Sequence, residues 1–465
     1  MTHLTSTALQ EIVGGRLQSV RDEVAPLGRV VTDSRLVEAG DVFWGLVGEQ
    51  FNGGRFVNEA LMRGATGVVV QDCQVDPWAG RFCLQVDDSC EALWRLARWH
   101  RKQMQGNTIA VTGSVGKTTT REMIQAVLQT ELTGTASPKN YNNHFGVPLS
   151  MLEMAPEHDY AVLELGASGL GEIARLADLC QPQFGVITRL GEAHLEGFGG
   201  TEEVAQAKAE LLSALPENGC AVLNGDDDRL RRLIDDCAAE IIWVGRGADC
   251  DLVATDIQSD AGQLRFRVAG DRYIVNVWGR HFLTSALVAV AIGRKMGLDA
   301  GQIAAGLANF RSPAMRCEVI KRDGLTIVND TYNSSPSAMR AVLDLLREMP
   351  TAGRRIVVCG DMAELGHEAG AWHRIIGQEV VTRCGADVLI ACGDCAEETT
   401  FGAISAGMPV ERAIACRLPE ETLPQLDNVV LPGDTVLVKG ARALAMERVV
   451  TMLLTEPTRS LRRAA

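Results

Sequence analysis

The chain has 465 residues, of which 46% are hydrophobic and 22% are charged, and its net charge is −14. This length exceeds one hydrophobic core and predicts two to four domains, while the acidic balance argues against a nucleic-acid-binding surface. The sequence contains no apolar run of about 18 residues, so a membrane span is not predicted. The N-terminus lacks a signal-peptide pattern, and we therefore expect a cytoplasmic protein whose 13 scattered cysteines are reduced.

Residues 1 to about 103 alternate short apolar strands with helical stretches, which predicts a small α/β unit. The strand at 30–32 leads into Asp33-Ser34-Arg35. A hydroxyl and a guanidinium after a strand can bind a phosphate, although residues of this kind more often form a solvated turn. The stretch Asn52-Gly53-Gly54 follows in the same unit.

The most informative stretch runs from residue 108 to residue 120. It starts as an apolar strand at 109–111, turns through Gly113 and Gly116, and enters a helical pattern at 118–129. A strand, a glycine turn and a helix N-terminus predict a phosphate cradle, because backbone N–H groups and the helix dipole favour an anion. Val111 replaces the first glycine of the strict P-loop pattern, so this is a shortened Gly-x-x-Gly-Lys-Thr variant. An ordinary glycine-rich turn is the alternative.

Two side chains of this stretch carry the expected phosphate chemistry. Lys117 would reach the β- and γ-phosphates of a nucleotide, and the hydroxyl of Thr118 would bind Mg²⁺. The loop therefore predicts a nucleotide site at the start of the helix.

Residues from about 106 to 312 alternate strands and helices, which predicts a mainly parallel sheet covered on both faces. Glu164 lies near the end of the strand at 160–165, and His194 follows the strand at 184–190. Ligands bind beyond the carboxyl ends of such strands, so Thr118, Glu164 and His194 together form a candidate metal site. Taken singly, Glu164 could cap a helix and His194 could be an ordinary loop histidine.

Lys208 lies in the middle of the predicted helix at 201–215, between small residues. A lone helical lysine is usually solvated, and the pattern alone gives it no function. A domain boundary is predicted near Arg311-Ser312-Pro313, after which strands and helices alternate again. Cys392 and Cys395 form the only CxxC pair, and without a second pair to complete a zinc site they are interpreted as structural thiols.

These motifs resemble those of the ATP-dependent Mur ligases of peptidoglycan synthesis, and the resemblance covers essentially the whole chain. The matching segments are, in order, 112–119, 139–143, 146–149, 164–167, 193–199 and 207–210. The resemblance implies an α/β fold of three domains. They are an N-terminal UDP-sugar-binding domain at 1–103, a central P-loop ATPase-like domain with a mainly parallel sheet at 104–312, and a Rossmann-like C-terminal domain at 313–465 that binds the amine substrate and closes on ATP.

Within the family, the segments 333–336, 360–362 and 364–366 are most like the member that adds D-alanyl-D-alanine, and the Asp-Asn-Pro-Arg motif of the diamino-acid-adding member is absent. The resemblance implies that ATP activates a carboxyl of UDP-N-acetylmuramoyl-tripeptide as an acyl phosphate, which the amine of D-alanyl-D-alanine then attacks. We expect a cytoplasmic monomer with small-molecule partners, acting in cell-wall synthesis and so in cell shape and division. A relative with another amine donor, or a non-catalytic nucleotide-binding protein, are the alternatives. The third peptide residue, lysine or diaminopimelate, stays open.

The resemblance also assigns roles residue by residue. The expected ATP contacts are Gly113, Ser114, Val115, Gly116, Lys117, Thr118, Thr119, Phe282, Ser285, Arg316 and Asp330. The expected catalytic residues are Lys117, His194, Lys208 and Arg316. Two Mg²⁺ ions are expected, with the ligands Thr118, Glu164, His194 and Lys208, the last in carbamylated form. The expected substrate contacts are Ser34, Arg35, Asn52, Asn142, Asn143, Asn333 and Lys439.

The chain departs from the family pattern in two places. A histidine common in relatives is replaced by Gly54, so one substrate contact is missing. Two asparagines that commonly hold adenine are replaced by Phe282 and Ser285. The phenylalanine ring could pack against the base, or it could fill core while backbone groups hold the base. The sequence leaves both options open.

Overall fold

The structure is a computed structural model that describes residues 4–19, 26–48, 51–71, 80–192 and 195–455. It contains three β-sheets, of five, nine and six strands, and most neighbouring strands are parallel. The predicted mixed α/β fold is therefore confirmed. The chain divides into two compact units, one formed by residues 1–110, 132–166 and 174–184, the other by residues 111–131, 167–173 and 185–465.

The first sheet belongs to the N-terminal residues and has the strand order β1-β5-β4-β3-β2. Its strands are β1 (Arg16–Ser19), β2 (Val30–Val31), β3 (Val42–Gly45), β4 (Gly67–Val70) and β5 (Phe82–Gln85). The accompanying helices are α1 (Ser6–Val13), α2 (Val57–Met62) and α3 (Ser89–Arg101). Successive residues of β3 enter opposite cores, since Val42 and Trp44 lie in one apolar cluster and Phe43 in the other. Helices thus cover both faces, as a parallel sheet requires.

The second sheet has the order β14-β13-β12-β11-β10-β9-β6-β8-β7. Its strands are β6 (Asn107–Thr112), β7 (Gly134–Ala136), β8 (Tyr160–Glu164), β9 (Phe184–Ile187), β10 (Cys220–Asn224), β11 (Glu240–Gly245), β12 (Leu252–Asp260), β13 (Gln263–Val268) and β14 (Asp271–Val275). The helices of this part are α4 (Lys117–Leu128), α5 (Gly146–Leu152), α6 (Glu172–Cys180), α7 (Leu195–Phe198), α8 (Thr201–Ser213), α9 (Asp228–Arg231), α10 (Leu283–Lys295) and α11 (Ala300–Asn309).

The third sheet has the order β15-β16-β20-β17-β18-β19. Its strands are β15 (Glu318–Arg322), β16 (Leu325–Asp330), β17 (Arg355–Gly360), β18 (Val388–Cys392), β19 (Ala413–Cys416) and β20 (Thr435–Lys439). The helices are α12 (Pro336–Glu348), α13 (Ala369–Thr382), α14 (Ala396–Ser405), α15 (Pro419–Val429) and α16 (Glu447–Thr455). The parallel register of β16 and β20 sets Asp330 opposite Lys439, which places both at the carboxyl edge of this sheet.

Local sequence explains where several helices begin. Asp88 accepts N–H groups of the first turn of α3, and Asp299 forms a capping box with Gln302 at α11. Helix α12 starts with Pro336 behind the N-cap Ser335, because proline lacks only an N–H that the first turn leaves unpaired. Among the described residues, the helices are all too short or too polar to cross a membrane.

Candidate active site

The phosphate loop has the geometry that the sequence predicts. Strand β6 ends at Thr112, and α4 begins at Lys117 behind the N-cap Gly116, whose φ is 93°. Gly113 has a φ of 139°, and a Cβ there would lie 2.2 Å from Thr188 Oγ1. Only glycine fits that position, so the predicted strand, glycine turn and helix are confirmed.

The segment after β9 supports this loop from below. The backbone N–H of Ser114 donates to the carbonyl of Arg189 at 2.8 Å, and Ser114 Oγ donates to the carbonyl of Gly191 at 3.1 Å. Thr188 Oγ1 donates to the carbonyl of Val115 at 2.7 Å, and Lys117 Nζ donates to the carbonyl of Gly113 at 2.7 Å. These bonds hold the loop in shape and the lysine amine beside it, as a phosphate site requires.

Arg316 reaches the same loop from far along the chain. Its Nη2 donates to Thr118 Oγ1 at 3.1 Å, and its guanidinium carbon lies 4.2 Å from the centre of the Tyr332 ring. The ring therefore holds the guanidinium by a cation–π contact. A cation from the C-terminal part of the sequence thus lies next to the hydroxyl that was assigned to the nucleotide's metal ion.

Lys439 and Asp330 form a buried pair at the carboxyl edge of the third sheet. Lys439 is 1% exposed, and its Nζ donates to Asp330 Oδ2 at 2.6 Å and to the carbonyl of Asn333 at 2.9 Å. Asp330 Oδ1 also accepts the N–H of Cys317 at 3.1 Å. Because the lysine amine is already bound by protein groups, it orders this corner, and its predicted contact with substrate stays a prediction.

Lys208 is also 1% exposed, unlike the solvated position that a lone lysine on a helix usually takes. Its Nζ donates to the carbonyl of Ala167 at 3.2 Å and lies 5.1 Å from the centre of the Phe198 ring. Burial, and secondarily the charge of Lys117, lower the pKa of Lys208 to about 7, because both disfavour the charged amine. A substantial fraction of the amine is therefore neutral at neutral pH.

The predicted metal ligand Glu164 ends strand β8 in the first compact unit and is 2% exposed. Its Oε1 accepts Asn142 Nδ2 at 3.0 Å, so the two predicted site residues Glu164 and Asn142 are in contact. The Oδ1 of Asn143 accepts the backbone N–H groups of Phe145 and Gly146, which orders the start of α5. His194 lies outside the described residues.

The two substituted adenine positions are both buried in the second unit. Phe282 is 3% exposed and packs on the His281 ring at 4.3 Å between centres. Ser285 Oγ accepts Thr120 Oγ1 at 2.8 Å, which ties α10 to the first turn of α4. The structure therefore favours the core interpretation of Phe282, and Ser285 supports the phosphate-loop helix.

The three predicted substrate residues of the N-terminal part make local contacts. Ser34 Oγ donates to Glu59 at 2.8 Å, while Asn52 Oδ1 accepts the N–H of Gly54 at 2.9 Å. Arg35 is exposed and pairs with Asp33, whose pKa is lowered chiefly by that hydrogen bond. Both turns follow the carboxyl ends of the neighbouring strands β2 and β3, where ligands of parallel sheets bind.

One group of possible metal ligands occurs among the described residues outside these positions, at Asp361, His373 and Cys395. Nε2 of His373 accepts the N–H of Met362, and Nδ1 contacts the carbonyl of Ala369 at 2.7 Å. Asp361 accepts the backbone N–H groups of Asp394 and Cys395. The Asp361 oxygens thus order the start of α14 and Nε2 of His373 accepts from the backbone, which supports the structural interpretation of the CxxC cysteines.

Two residues near the loop, Glu192 and Tyr332, were not predicted from the sequence. Glu192 accepts a hydrogen bond from Ser337 and contacts Arg340 Nη1 at 3.3 Å, so helix α12 is bound to the segment after β9. Tyr332 lies under Arg316. Only the sequence position of Glu192 and Tyr332 could have indicated a role, because each follows a β-strand at the carboxyl edge of its sheet.

Known protein families match the parts of the chain that form this site. The family of Mur ligase middle domains matches residues 111–293, and the family described as "Mur ligase, glutamate ligase domain" matches residues 315–442. UDP-N-acetylmuramoyl-tripeptide–D-alanyl-D-alanine ligases are similar over their whole length. The Bacillus subtilis (strain 168) enzyme is 32% identical, covering 98% of this chain and 100% of the relative, and the Escherichia coli (strain K12) enzyme is 34% identical, covering 97% and 99%.

Solved structures agree with the sequence relatives. A crystal structure of MurF from Acinetobacter baumannii has a TM-score of 0.87 at 30% identity, covering 97% of this chain and 99% of that one. MurF ligase from Thermotoga maritima in complex with ADP has a TM-score of 0.79 at 29% identity, covering 94% and 98%. The fold and the loop define an ATP-dependent ligase of the three-domain α/β type. The chain belongs to the Mur ligase family.

Proposed function

We propose that this protein joins D-alanyl-D-alanine to UDP-N-acetylmuramoyl-tripeptide at the expense of ATP, in the synthesis of peptidoglycan precursors in the cytoplasm. The observation that carries the proposal is the hydrogen bond from Arg316 to Thr118. It links the phosphate loop to the part of the chain that matches the glutamate ligase domain. Two features support the choice of donor, namely the full-length similarity to D-alanyl-D-alanine-adding relatives and the segments 333–336, 360–362 and 364–366.

The division of labour follows the three sheets. Residues 1–103 would bind the UDP-sugar part of the substrate, with Ser34, Arg35 and Asn52 at the carboxyl edge of the first sheet. Residues 104–312 would bind ATP through the loop 113–119. Residues 313–465 would bind the incoming amine and contribute Arg316 and Asp330 to the nucleotide.

The chain's oxygen donors suit magnesium, which prefers hard oxygen ligands. Thr118 offers a hydroxyl at the start of α4, and Glu164 offers a carboxylate that is 2% exposed and oriented by Asn142. We propose these two residues and His194 as ligands. Bound magnesium would neutralise charge on the nucleotide phosphates during phosphoryl transfer.

Lys208 is proposed to act as a carbamate. Carbon dioxide adds only to a neutral amine, and the pKa of Lys208 is lowered to about 7 by burial. Addition of carbon dioxide to the amine, with loss of one proton, gives a carbamate whose two oxygens are hard anionic ligands. A lysine ammonium has no lone pair to offer a metal ion, so the modification would convert Lys208 into a ligand for a second magnesium.

Amide formation then needs alignment and charge neutralisation more than covalent work by the protein. The peptide carboxylate accepts the γ-phosphoryl group of ATP and becomes an acyl phosphate. Lys117, bound to the carbonyl of Gly113, and Arg316, bound to Thr118, would stabilise the negative charge on the phosphoryl oxygens. The amine of the dipeptide attacks the acyl carbon, and phosphate leaves from the tetrahedral intermediate.

The proposal is tested by ADP release with UDP-N-acetylmuramoyl-tripeptide and a panel of amines. We expect ADP release only with D-alanyl-D-alanine. Comparing the nucleotide whose tripeptide ends in lysine with the one whose tripeptide ends in diaminopimelate then shows which third residue the protein uses. ADP release with diaminopimelate or lysine as the donor, on the corresponding shorter nucleotide, would assign the chain to the diamino-acid-adding relatives. ATP binding without ADP release under any condition would favour a non-catalytic nucleotide-binding protein.

A further inference from the structure

The ring of Tyr332 makes cation–π contacts with two arginines, Arg316 and Arg442, and only Arg316 has a predicted role. The guanidinium carbon of Arg316 lies 4.2 Å from the ring centre, and that of Arg442 lies 5.9 Å from it. Tyr332 follows β16, and Arg442 begins the short turn Arg442–Leu444 just after the neighbouring strand β20. Both therefore lie at the edge of the third sheet where ligands of parallel sheets bind.

No carboxylate of the described residues neutralises either guanidinium. Within the described part of the chain, Arg316 and Arg442 make no ion pair with a carboxylate. Other arginines of the C-terminal part form ion pairs with carboxylates, for example Arg354–Asp434, Arg374–Glu398 and Arg383–Asp344. Two cations near one ring repel each other, and an anion placed between or beside them would remove that cost. This corner of the fold is thus prepared for negative charge from a ligand.

We propose that Arg442 binds the terminal carboxylate of the incoming D-alanyl-D-alanine, an inference that rests on the proposed function. The dipeptide carries its reacting amine at one end and a single carboxylate at the other. A guanidinium suits that carboxylate because it can donate two parallel hydrogen bonds. Lys439 is the other cation of this edge, but its amine is buried and already bound to Asp330 and Asn333.

The two arginines lie close enough together for one dipeptide to reach both. Both arginine distances end at one ring centre, so the guanidinium carbons lie within about 10 Å of each other, and an extended dipeptide spans about 7 Å. Arg316 marks the phosphoryl end through Thr118. An amine near Arg316 would therefore leave the far carboxylate of a dipeptide within reach of Arg442.

The test compares D-alanyl-D-alanine with its C-terminal amide, which has the same length but no carboxylate. For the wild-type protein we expect the KM for the amide to exceed that for the dipeptide by about tenfold or more, the usual strength of a charge-assisted hydrogen bond. Arg442→Gln should raise the KM for the dipeptide by a similar factor and leave that for the amide unchanged. Arg442→Lys should restore part of the difference. The matched control is Arg412→Gln, an exposed arginine on the turn before β19, and it should change neither KM.

Two results would overturn the inference. One is equal KM values for dipeptide and amide in the wild-type protein, which needs no variant and so does not depend on how well a variant folds. The other is a normal KM for the dipeptide in Arg442→Gln. Both leave the proposed function intact, because the protein still turns over D-alanyl-D-alanine. A wild-type protein that uses no dipeptide at all would instead refute the proposed function together with this inference.

Discussion

Two lysines of this protein, Lys208 and Lys439, are equally buried and differently partnered. Each is 1% exposed. Lys439 donates to the carboxylate of Asp330 at 2.6 Å, whereas the hydrogen bond of Lys208 is to the carbonyl of Ala167 at 3.2 Å. A carboxylate partner compensates the charge of a buried lysine, while burial without one disfavours the charge and yields a reactive amine. The partner, more than the depth, therefore decides what a buried lysine can do.

The largest expected effect separates the two lysines by activity. Lys208→Met keeps the volume of the side chain but removes the amine, and we expect turnover to fall by about two orders of magnitude or more, as for loss of a transition-state-stabilising group. The free energy of unfolding should stay equal or rise, because no buried partner loses its counter-charge. Steady-state ADP release and denaturant unfolding measure the two quantities. A Lys208→Met protein with wild-type turnover would remove the basis of the comparison.

Lys439→Met should fail in the opposite way. It leaves the carboxylate of Asp330 without its buried partner, and breaking such a pair costs about 3–5 kcal/mol of unfolding free energy. The double variant Asp330→Asn/Lys439→Met should recover much of that loss, since the charge that remained is removed as well. Urea unfolding of the two single variants and the double variant gives the coupling. Additive losses would mean that the pair does not stabilise the fold as described.

Phe282 is a buried, uncharged residue that serves as a reference for the two buried lysines. Because it is 3% exposed and packs on His281, Phe282→Leu should cost about 1–2 kcal/mol of stability, as the loss of a few buried carbon atoms from a core does. The KM for ATP should be unchanged. If instead the KM for ATP rises and stability does not change, the ring is a base contact and the core interpretation is wrong.

The smallest effect concerns pH. The pKa of Lys208 is lowered to about 7 in the folded protein, so its amine is mostly charged below that pH and mostly neutral above it. The bicarbonate-dependent part of the activity should therefore increase a few-fold as the pH rises through about 7. The folded state also binds this proton more weakly than the unfolded state, so the stability cost of Lys208 should be greatest below about pH 7 and should fade as the pH rises toward the pKa of an ordinary lysine. Activity that rises as the pH falls below 7 would contradict this sign.

Local patterns allowed much of the nucleotide site to be predicted from the sequence. A short strand, Gly113, Gly116 and Lys117 follow each other directly, so their geometry depends on few distant residues. The alternation of strands and helices likewise predicted the fold class. The resemblance to relatives added the roles of the remaining residues, which spacing alone does not supply.

Contacts between distant segments could not be predicted in this way. The hydrogen bond from Arg316 to Thr118 joins residues 198 positions apart. Helix α8 gave no sign that Lys208 is buried, because the alanines and glutamates around it also occur on solvated helices. The pairing of Asp330 with Lys439 depends on the register of two strands 109 residues apart, and the local pattern of neither strand encodes that register.

The most direct test of the account is carbon NMR of the protein equilibrated with isotope-labelled bicarbonate. We expect one carbamate resonance in the wild-type protein and its loss in Lys208→Met. The resonance should be retained in the Asp330→Asn/Lys439→Met variant, which lacks only the paired lysine and its partner. A wild-type spectrum without a carbamate signal at a pH above 7, or a signal that persists in Lys208→Met, would contradict the claim that burial without a paired carboxylate makes Lys208 the reactive amine.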